Sequence, residues 1–526
     1  MESSEHVTDA SAGGDDLISG LPDDALLRIL GFVAAADARD AARTDALSRR
    51  WRGLWARVPS LSLSSSSLPE FPSGNVEERF IAVVDDVLAK RARSGVRIER
   101  LEIWLFTPRG GHLPWPPAVP CFKCIRAAEG WIWYAAQREV ASLVVFLDLG
   151  GYLHWIDHRA RLALGDLPSS AKLETMSLML DGVEVWLPAT AAFESLVDLT
   201  LESMFVLGDS SHLLARLISS ECCPRLQKLS MTGIGLAGNL LVEAGALLEL
   251  SLGGIPGLYS MELRTPNLRV LHVQNCMNLS ALTVSAPRLG ELTLSLWRTV
   301  VHGDLSSVWS LSIMVHSWFP VDKYTVKDEE DSIYLLQRCS SARSLTVTLY
   351  EHSKIYWQGP VNIIKDRIPQ LPHFTSLIVD VNTSGERHSS RDGLASLLTR
   401  FNGLRYLRLQ LNVCCSDEEE IETSTFICDH PINDWKSTDI SLAHLQEAEF
   451  RGLTGTDCEL RFLKFVLATA KDLQKVIVGF NKDYSLEGRR DDFQHMLLEA
   501  GTWTPTLDAD DLYVWDANES YVWRPS

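Results

Sequence analysis

The feature that constrains this chain most is a repeat of constant length. Leu226-Gln-Lys-Leu229-Ser-Met231, Leu247-Leu-Glu-Leu250-Ser-Leu252, Leu268-Arg-Val-Leu271-His-Val273 and Leu289-Gly-Glu-Leu292-Thr-Leu294 follow one another at a 21-residue step. A second register runs between them: Leu258, Met261 and Leu263 return 21 residues later as Leu279, Leu282 and Val284, with Leu240 and Val242 at the earlier equivalents. Thr265-Pro266-Asn267 and Ala286-Pro287-Arg288 punctuate the same point of successive units. The L-x-x-L-x-L spacing places alternate side chains on one side of a short strand, and a unit this small buries that side only against its neighbours.

Such a period is the signature of a leucine-rich-repeat solenoid. Looser copies extend it: Leu173/Met176/Leu178, Leu196/Leu199/Leu201, Ala342/Leu345/Val347, Phe374/Leu377/Val379 and Leu404/Leu407/Leu409. Their spacings of roughly 20 to over 30 residues leave room for a helix in some units. Ile98/Leu101/Ile103 and Val140/Leu143/Val145 are placed to form the first strands, with Glu129 to Val140 as the helix feeding the second. The repeats also settle the domain count. At roughly 150 residues per domain, 526 residues suggest about three globular units, whereas one solenoid absorbs most of that length.

The N-terminus has a different texture. Residues 1–15 are small, polar and acidic and read as disordered. Pro22 then opens a helix whose Leu26, Ile29, Leu30 and Val33 recur at i, i+3, i+4 and i+7. A second helical pattern carries Leu47, Trp51, Leu54 and Trp55, with Arg49, Arg50 and Arg52 between them as a solvated face. Ser64 to Ser67 with Pro69, Pro72, Ser73 and Gly74 read as a linker. Some 45 residues make a meagre core, so exposed apolar surface here would want a partner. Two acidic runs, Asp328-Glu-Glu-Asp331 and Asp417-Glu-Glu-Glu420, read as loops in the solenoid. After them, Leu445 to Phe450, Asp457 to Ala470 and Leu473 to Val478 give a strand, a helix with Leu460, Leu463 and Leu467 on one face, and a strand. Trp503, Trp515 and Trp523 mark a terminal segment suited to capping the solenoid.

Asp16 to Leu30, Asp40-Ala-Ala-Arg-Thr44 and Leu47-Ser-Arg-Arg-Trp-Arg-Gly-Leu-Trp55 resemble the F-box of plant F-box/leucine-rich-repeat proteins. Leu445-Gln-Glu-Ala-Glu-Phe-Arg-Gly, Glu459-Leu-Arg-Phe-Leu-Lys-Phe-Val-Leu and Leu473-Gln-Lys-Val-Ile-Val resemble the FBD module that often ends such chains. The expected fold is α/β: a small N-terminal three-helix F-box, then an irregular leucine-rich-repeat solenoid. The expected boundaries are a disordered 1–15, F-box 16–60, linker 61–78, solenoid 79–440, FBD-like unit 441–482 and a cap or tail over 483–526. One departure stands out. Asp37 occupies a position where the family usually has proline, after an apparent insertion of Ala34 to Ala36, so the turn between the first two helices should differ.

The resemblance implies the substrate-recognition subunit of an SKP–cullin–F-box ubiquitin ligase, not itself an enzyme. The F-box would dock on the SKP-type adaptor, which links to cullin and a RING subunit, while the repeats hold a protein target. Leu21, Pro22, Leu26, Ile29 and Leu30 would supply the docking face, and Leu47, Trp51, Leu54 and Trp55 would complete it or pack behind it. Outward alternation in one repeat points to Arg269, His272 and Gln274 as target contacts. The alternatives are a repeat scaffold not engaged with a ligase and a small-molecule-dependent receptor on the same plan.

Composition narrows the partners. Acidic residues outnumber basic ones 68 to 49, a formal charge of -19, which disfavours nucleic acid. The N-terminus lacks the pattern of a signal peptide, and no apolar run is long enough for a membrane helix. Ten scattered cysteines fit a reducing compartment, cytoplasmic or nuclear. Cys121-Phe-Lys-Cys124 lacks the further ligands a zinc site needs, and the sequons at Asn278, Asn382 and Asn518 read as chance matches. No nucleophile elbow, phosphate-binding loop or H-E-x-x-H is present, so neither cofactor nor metal is expected.

Overall fold

The computed structural model describes residues 18–67, 76–106, 120–149, 161–206, 211–295, 299–316, 334–351, 368–384, 391–414, 440–453, 457–480, 504–505 and 512–516, except 19, 391–393 and 396. The N-terminal 15 residues, both acidic runs, Pro69 to Gly74, Trp503 and Trp523 lie outside the described residues. The chain divides into two compact units, residues 1–205 and 206–526.

The first unit begins with α1 (Asp23–Ala36). Pro22 precedes it in an extended conformation, and Asp23 and Asp24 sit in its first turn, where negative charge complements the free N–H groups. Asp37 ends the helix. Its backbone N–H bonds to the Val33 carbonyl, and its carboxylate accepts from the Arg39 N–H at 2.8 Å, capping α2 (Ala38–Arg43). The residue in the proline position therefore builds the turn itself. No third α-helix follows. Short 3-10 turns at Thr44–Ala46 and Trp55–Arg57 flank a run of plain turns. The cause lies in competing side-chain bonds: Asp45 accepts from the Gly53 N–H at 2.8 Å, and Gly53 takes a positive φ of 75°.

The Ser-rich stretch expected as the start of a linker instead forms β1 (Ser60–Ser64), because Leu61 and Leu63 alternate inward. It pairs in parallel with β2 (Arg100–Phe106), which pairs with β3 (Ser142–Asp148). Next come β4 (Arg161–Ala163), β5 (Thr175–Trp186), which pairs with both β3 and β4, and β6 (Asp198–Val206). Register aligns the core in rows: Leu61, Leu101, Leu143 and Met176 in one, Leu63, Ile103, Val145 and Leu178 in the next. The connections are α3 (Val76–Ser94) and α4 (Pro120–Gln137). Trp131 of α4 meets Phe80 of α3 edge to face at 6.3 Å and donates its indole N–H to Asp85 at 3.0 Å.

The second unit stacks its repeats in parallel. β7 (Lys228–Thr232), β9 (Glu249–Gly253), β11 (Val270–Gln274), β13 (Glu291–Ser295) and β15 (Ser310–His316) pair in sequence. The ladder continues through β16 (Ser344–Glu351), β17 (Ser376–Ser384), β18 (Tyr406–Cys414), β19 (Glu447–Leu453) and β20 (Lys475–Phe480). The interleaved register forms its own parallel sheet of β8 (Gly238–Glu243), β10 (Leu258–Arg264), β12 (Ala281–Ser285) and β14 (Val300–Gly303). Both registers read from the sequence thus become hydrogen-bonded rows, Leu250–Leu271–Leu292 in one and Leu240–Met261–Leu282 in the other. All six leucine and methionine side chains are buried. Helices α5 (Ser211–Leu217) and α6 (Asp457–Thr469) also belong to this unit. At its far edge β21 (Thr504–Pro505) and β22 (Leu512–Asp516) run antiparallel, β22 against β20 with Trp515 opposite Val476. The architecture is mixed α/β, dominated by strands in parallel ladders and compatible with a leucine-rich-repeat solenoid.

Candidate functional site

Helix α1 carries two apolar rows. Leu26, Leu30 and Ala34 are buried against Ala41, Trp51, Leu54 and Val58. Pro22, Ala25, Ile29, Phe32 and Ala36, spaced three or four apart, share another face. On it Phe32 is 73% exposed and Ile29 40%. Ile18, just before the helix, is 53% exposed, and Leu47, in the turns, 66%. Polar residues are available for such surface positions, so large apolar side chains there mark a patch rather than ordinary scatter.

The scaffold beneath is fixed by directional bonds. Asp45 also accepts from the Trp55 indole N–H at 3.2 Å. Arg50 donates to Asp23 at 3.0 and 3.1 Å and to the Leu21 carbonyl, tying the turns to the start of α1. Arg91 of α3 is buried and donates to the carbonyls of Val58 and Trp55 at 2.8 and 3.1 Å. Burial pulls its pKa down to about 10, with Tyr134 opposing.

The nine sequence-selected docking residues therefore divide. Leu26, Leu30, Trp51 and Leu54 are core, Leu21 and Trp55 half-buried, and Pro22, Ile29 and Leu47 exposed. Phe32 and Ile18 were missed. The signal for Phe32 was its place in the second row, three residues after Ile29.

In the repeats, His272 and Gln274 share the outward face of β11, half-buried and exposed, while Arg269 is exposed just before the strand. Along this face His272 stands beside Ser251 and Thr293, which offer only hydroxyls. Richer chemistry lies further on, where β17, β18 and β19 align Asp380 with Gln410 and Arg451, and Arg408 with Glu449. The Tyr406 hydroxyl donates to Glu449 at 2.8 Å, Arg451 donates to the other carboxylate oxygen, and Glu449 is only 6% exposed. Burial, then the bond to Glu449, pushes the Tyr406 phenol up to about 12. Burial also raises Asp380, with Arg408 opposing. Nε of Arg408 is buried without a hydrogen-bond partner among the described residues. Sequence reasoning missed this group because 43 residues separate Tyr406 from Glu449.

Among the described residues no three His, Cys, Asp or Glu side chains are placed to hold a metal ion, and no helix is long and apolar enough to cross a membrane. Cys124 is buried in α4, and the side chain of Cys121 lies outside the described residues.

No family model matches the chain. An F-box/LRR-repeat protein of Arabidopsis thaliana is 30% identical over 283 residues, 51% of this chain and 53% of the relative. The match thus spans about half of that protein's length. An F-box/FBD/LRR-repeat protein of the same plant is 25% identical over 421 residues, 78% of this chain and 76% of the relative. An FBD-associated F-box protein, also from Arabidopsis, is 36% identical over 95 residues, 18% of this chain and 24% of the relative. These relatives bear out the resemblance to plant F-box/leucine-rich-repeat proteins with an FBD module.

Proposed function

We propose that this chain, similar to plant F-box/FBD/LRR-repeat proteins over 78% of its length, is the substrate-recognition subunit of an SKP–cullin–F-box ubiquitin ligase. The observation that carries the reading is the exposed apolar row of α1 above its own buried core. Pro22, Ile29, Phe32 and Leu47, with Ile18, dock on the SKP-type adaptor, which connects to cullin and the RING subunit. Leu26, Leu30, Trp51 and Leu54 hold that face in shape from behind, and the turns through Leu54 take the place of the family's third helix. The repeats hold a protein target. The chain supplies no reacting group: it raises the effective concentration of a target lysine near a charged thioester carried elsewhere in the complex. Its place of work is the cytoplasm or the nucleus.

Capture of a purified SKP-type adaptor by the full chain tests this. The intact chain retains adaptor and co-purifies cullin, and Ile29→Asp with Phe32→Asp abolishes capture while far-UV circular dichroism is unchanged. Failure of the intact chain to bind would overturn the reading and leave a repeat scaffold outside the ligase.

A further inference from the structure

In the long ladder of the second unit, β7, β9, β11, β13, β15, β16 and β17 are each approached through a five-residue turn closed by a backbone bond, and β18 through the equivalent five residues, Phe401 to Arg405. In these turns the N–H of Leu268, Leu289, Val308 and Ala342 bonds to the carbonyl three residues earlier at 3.0 to 3.1 Å. From Cys223 to Arg405 eight such segments precede β7, β9, β11, β13, β15, β16, β17 and β18. Together they contain five arginines, Arg225, Arg269, Arg288, Arg343 and Arg405, and no aspartate or glutamate. In a chain of formal charge -19 this edge is a local reversal of sign.

The last residue of each turn lies in a hydrogen-bonded row. Gly290 N–H bonds to the Arg269 carbonyl at 2.9 Å, Trp309 to Gly290 at 2.9 Å, Arg343 to Trp309 at 2.9 Å, Thr375 to Arg343 at 2.8 Å and Arg405 to Thr375 at 2.8 Å. Arg269, Trp309, Arg343 and Arg405 are all exposed, Trp309 by 52%. Gly290 makes room for the indole: a Cβ there would lie 2.5 Å from Trp309 Nε1. Arg269 and Arg405 make no side-chain hydrogen bond or ion pair among the described residues, and Arg343 reaches only the His373 carbonyl. From β15 to β18 the first strand positions are Ser310, Ser344, Ser376 and Tyr406, none of them acidic, while Glu291 and Glu447 stand beside the two ends of the row, each donating its backbone N–H to the carbonyl of Arg269 or Arg405 at 3.0 Å. Neighbouring strands stand about 4.8 Å apart, so Arg269 to Arg405 covers about 24 Å, the reach of roughly seven extended residues.

We propose that this edge binds an extended, glutamate- or aspartate-rich protein segment lying across the strands, with an apolar side chain of that segment against Trp309. Guanidinium groups without an ion-pair partner among the described residues suit carboxylates, which they can engage bidentately, and the half-exposed indole between them suits an apolar or aromatic contact. The inference deepens the adaptor reading, and rests on it only in regarding the bound segment as part of a target.

Fluorescence anisotropy of the full chain tests it, with a labelled nonapeptide of glutamates around a central phenylalanine. The peptide binds and weakens as salt rises. Arg343→Glu with Arg405→Glu lowers affinity at least tenfold, and Trp309→Ala weakens the phenylalanine peptide while sparing an all-glutamate one. Adaptor capture by both variants stays intact, which separates failure here from failure of the adaptor reading. Absence of binding by the intact chain, equal binding of a lysine analogue, or an affinity unchanged by the double reversal would overturn the proposal. So would arginine-dependent binding of single-stranded DNA in preference to the acidic peptide.

Discussion

Helix α1 and the repeat strands both space apolar residues regularly, yet they treat the opposite face differently. On β11 and its neighbours every second side chain is buried, and those between are polar, charged or small: Ser251, His272, Thr293. On α1 the row facing away from the core is itself apolar, through Ile29 and Phe32. A stacked strand already buries its inward side against its neighbours and needs nothing more from water-facing positions. A helix in a core of seven residues gains nothing for its own fold from a second greasy row, and that row is left as exposed apolar surface.

The sharpest break between the two faces is energetic. Leu30→Ala in the first unit and Leu271→Ala in the second each remove a fully buried side chain, and each should cost about 3 kcal/mol, read from urea unfolding followed by tryptophan fluorescence. Phe32→Ala should stay within about 0.5 kcal/mol of the parent. If Phe32→Ala proved as costly as Leu30→Ala, both rows of α1 would be core and the contrast would collapse.

A smaller effect tests how tightly the strand side is built. Gly303 closes β14 at a φ of 120°, and a Cβ there would fall 2.0 Å from the Val284 carbonyl oxygen of β12. Gly303→Ala should therefore cost about 2 kcal/mol, from left-handed strain and the displaced ladder together. Gly130 in α4 has open space around its Cβ position, and Gly130→Ala should be neutral or stabilising by about 0.5 kcal/mol. Equal tolerance at both positions, measured by thermal denaturation, would show that the second register can slide.

The same contrast explains what could be read from the residues alone. A repeat of constant step becomes a parallel ladder whose neighbours are fixed by that step, so Leu250, Leu271 and Leu292 were legible as one buried row. On α1 the period revealed apolar faces but not which one turned inward, because that depends on Trp51, Leu54 and Val58 arriving from later in the chain. The helix expected over Leu47 to Trp55 had suitable apolar spacing, yet Asp45 bonding across to Gly53 and Trp55 favoured turns instead. The Arg-rich edge and the Tyr406–Glu449 pair escaped notice because each joins residues from different repeats, and the looser spacing after β15 hides their register.

That pair supplies the finest test, since it asks whether the outward face of the repeats is merely solvated. Glu449 is buried yet faces away from the core row, and its carboxylate is held by the Tyr406 hydroxyl and by Arg451. Removing the hydroxyl in Tyr406→Phe leaves one oxygen of a buried carboxylate short of a donor, a loss of about 1 kcal/mol. The phenol also has a pH signature. Its pKa rises on folding from 10.0 to about 12, so the folded state favours the protonated form. The stabilisation it lends is complete below pH 10 and is lost as pH rises through 12. Spectrophotometric titration of the native chain should show Tyr406 among the late-ionising members of its 11 tyrosines, with Tyr134 also raised by burial, and Tyr406→Phe should remove one late-ionising group. If all the tyrosines titrated together, Tyr406 would be an ordinary solvated side chain. The outward face of β18 and β19 would then differ from α1 only in being polar, and not in holding a bonded structure of its own.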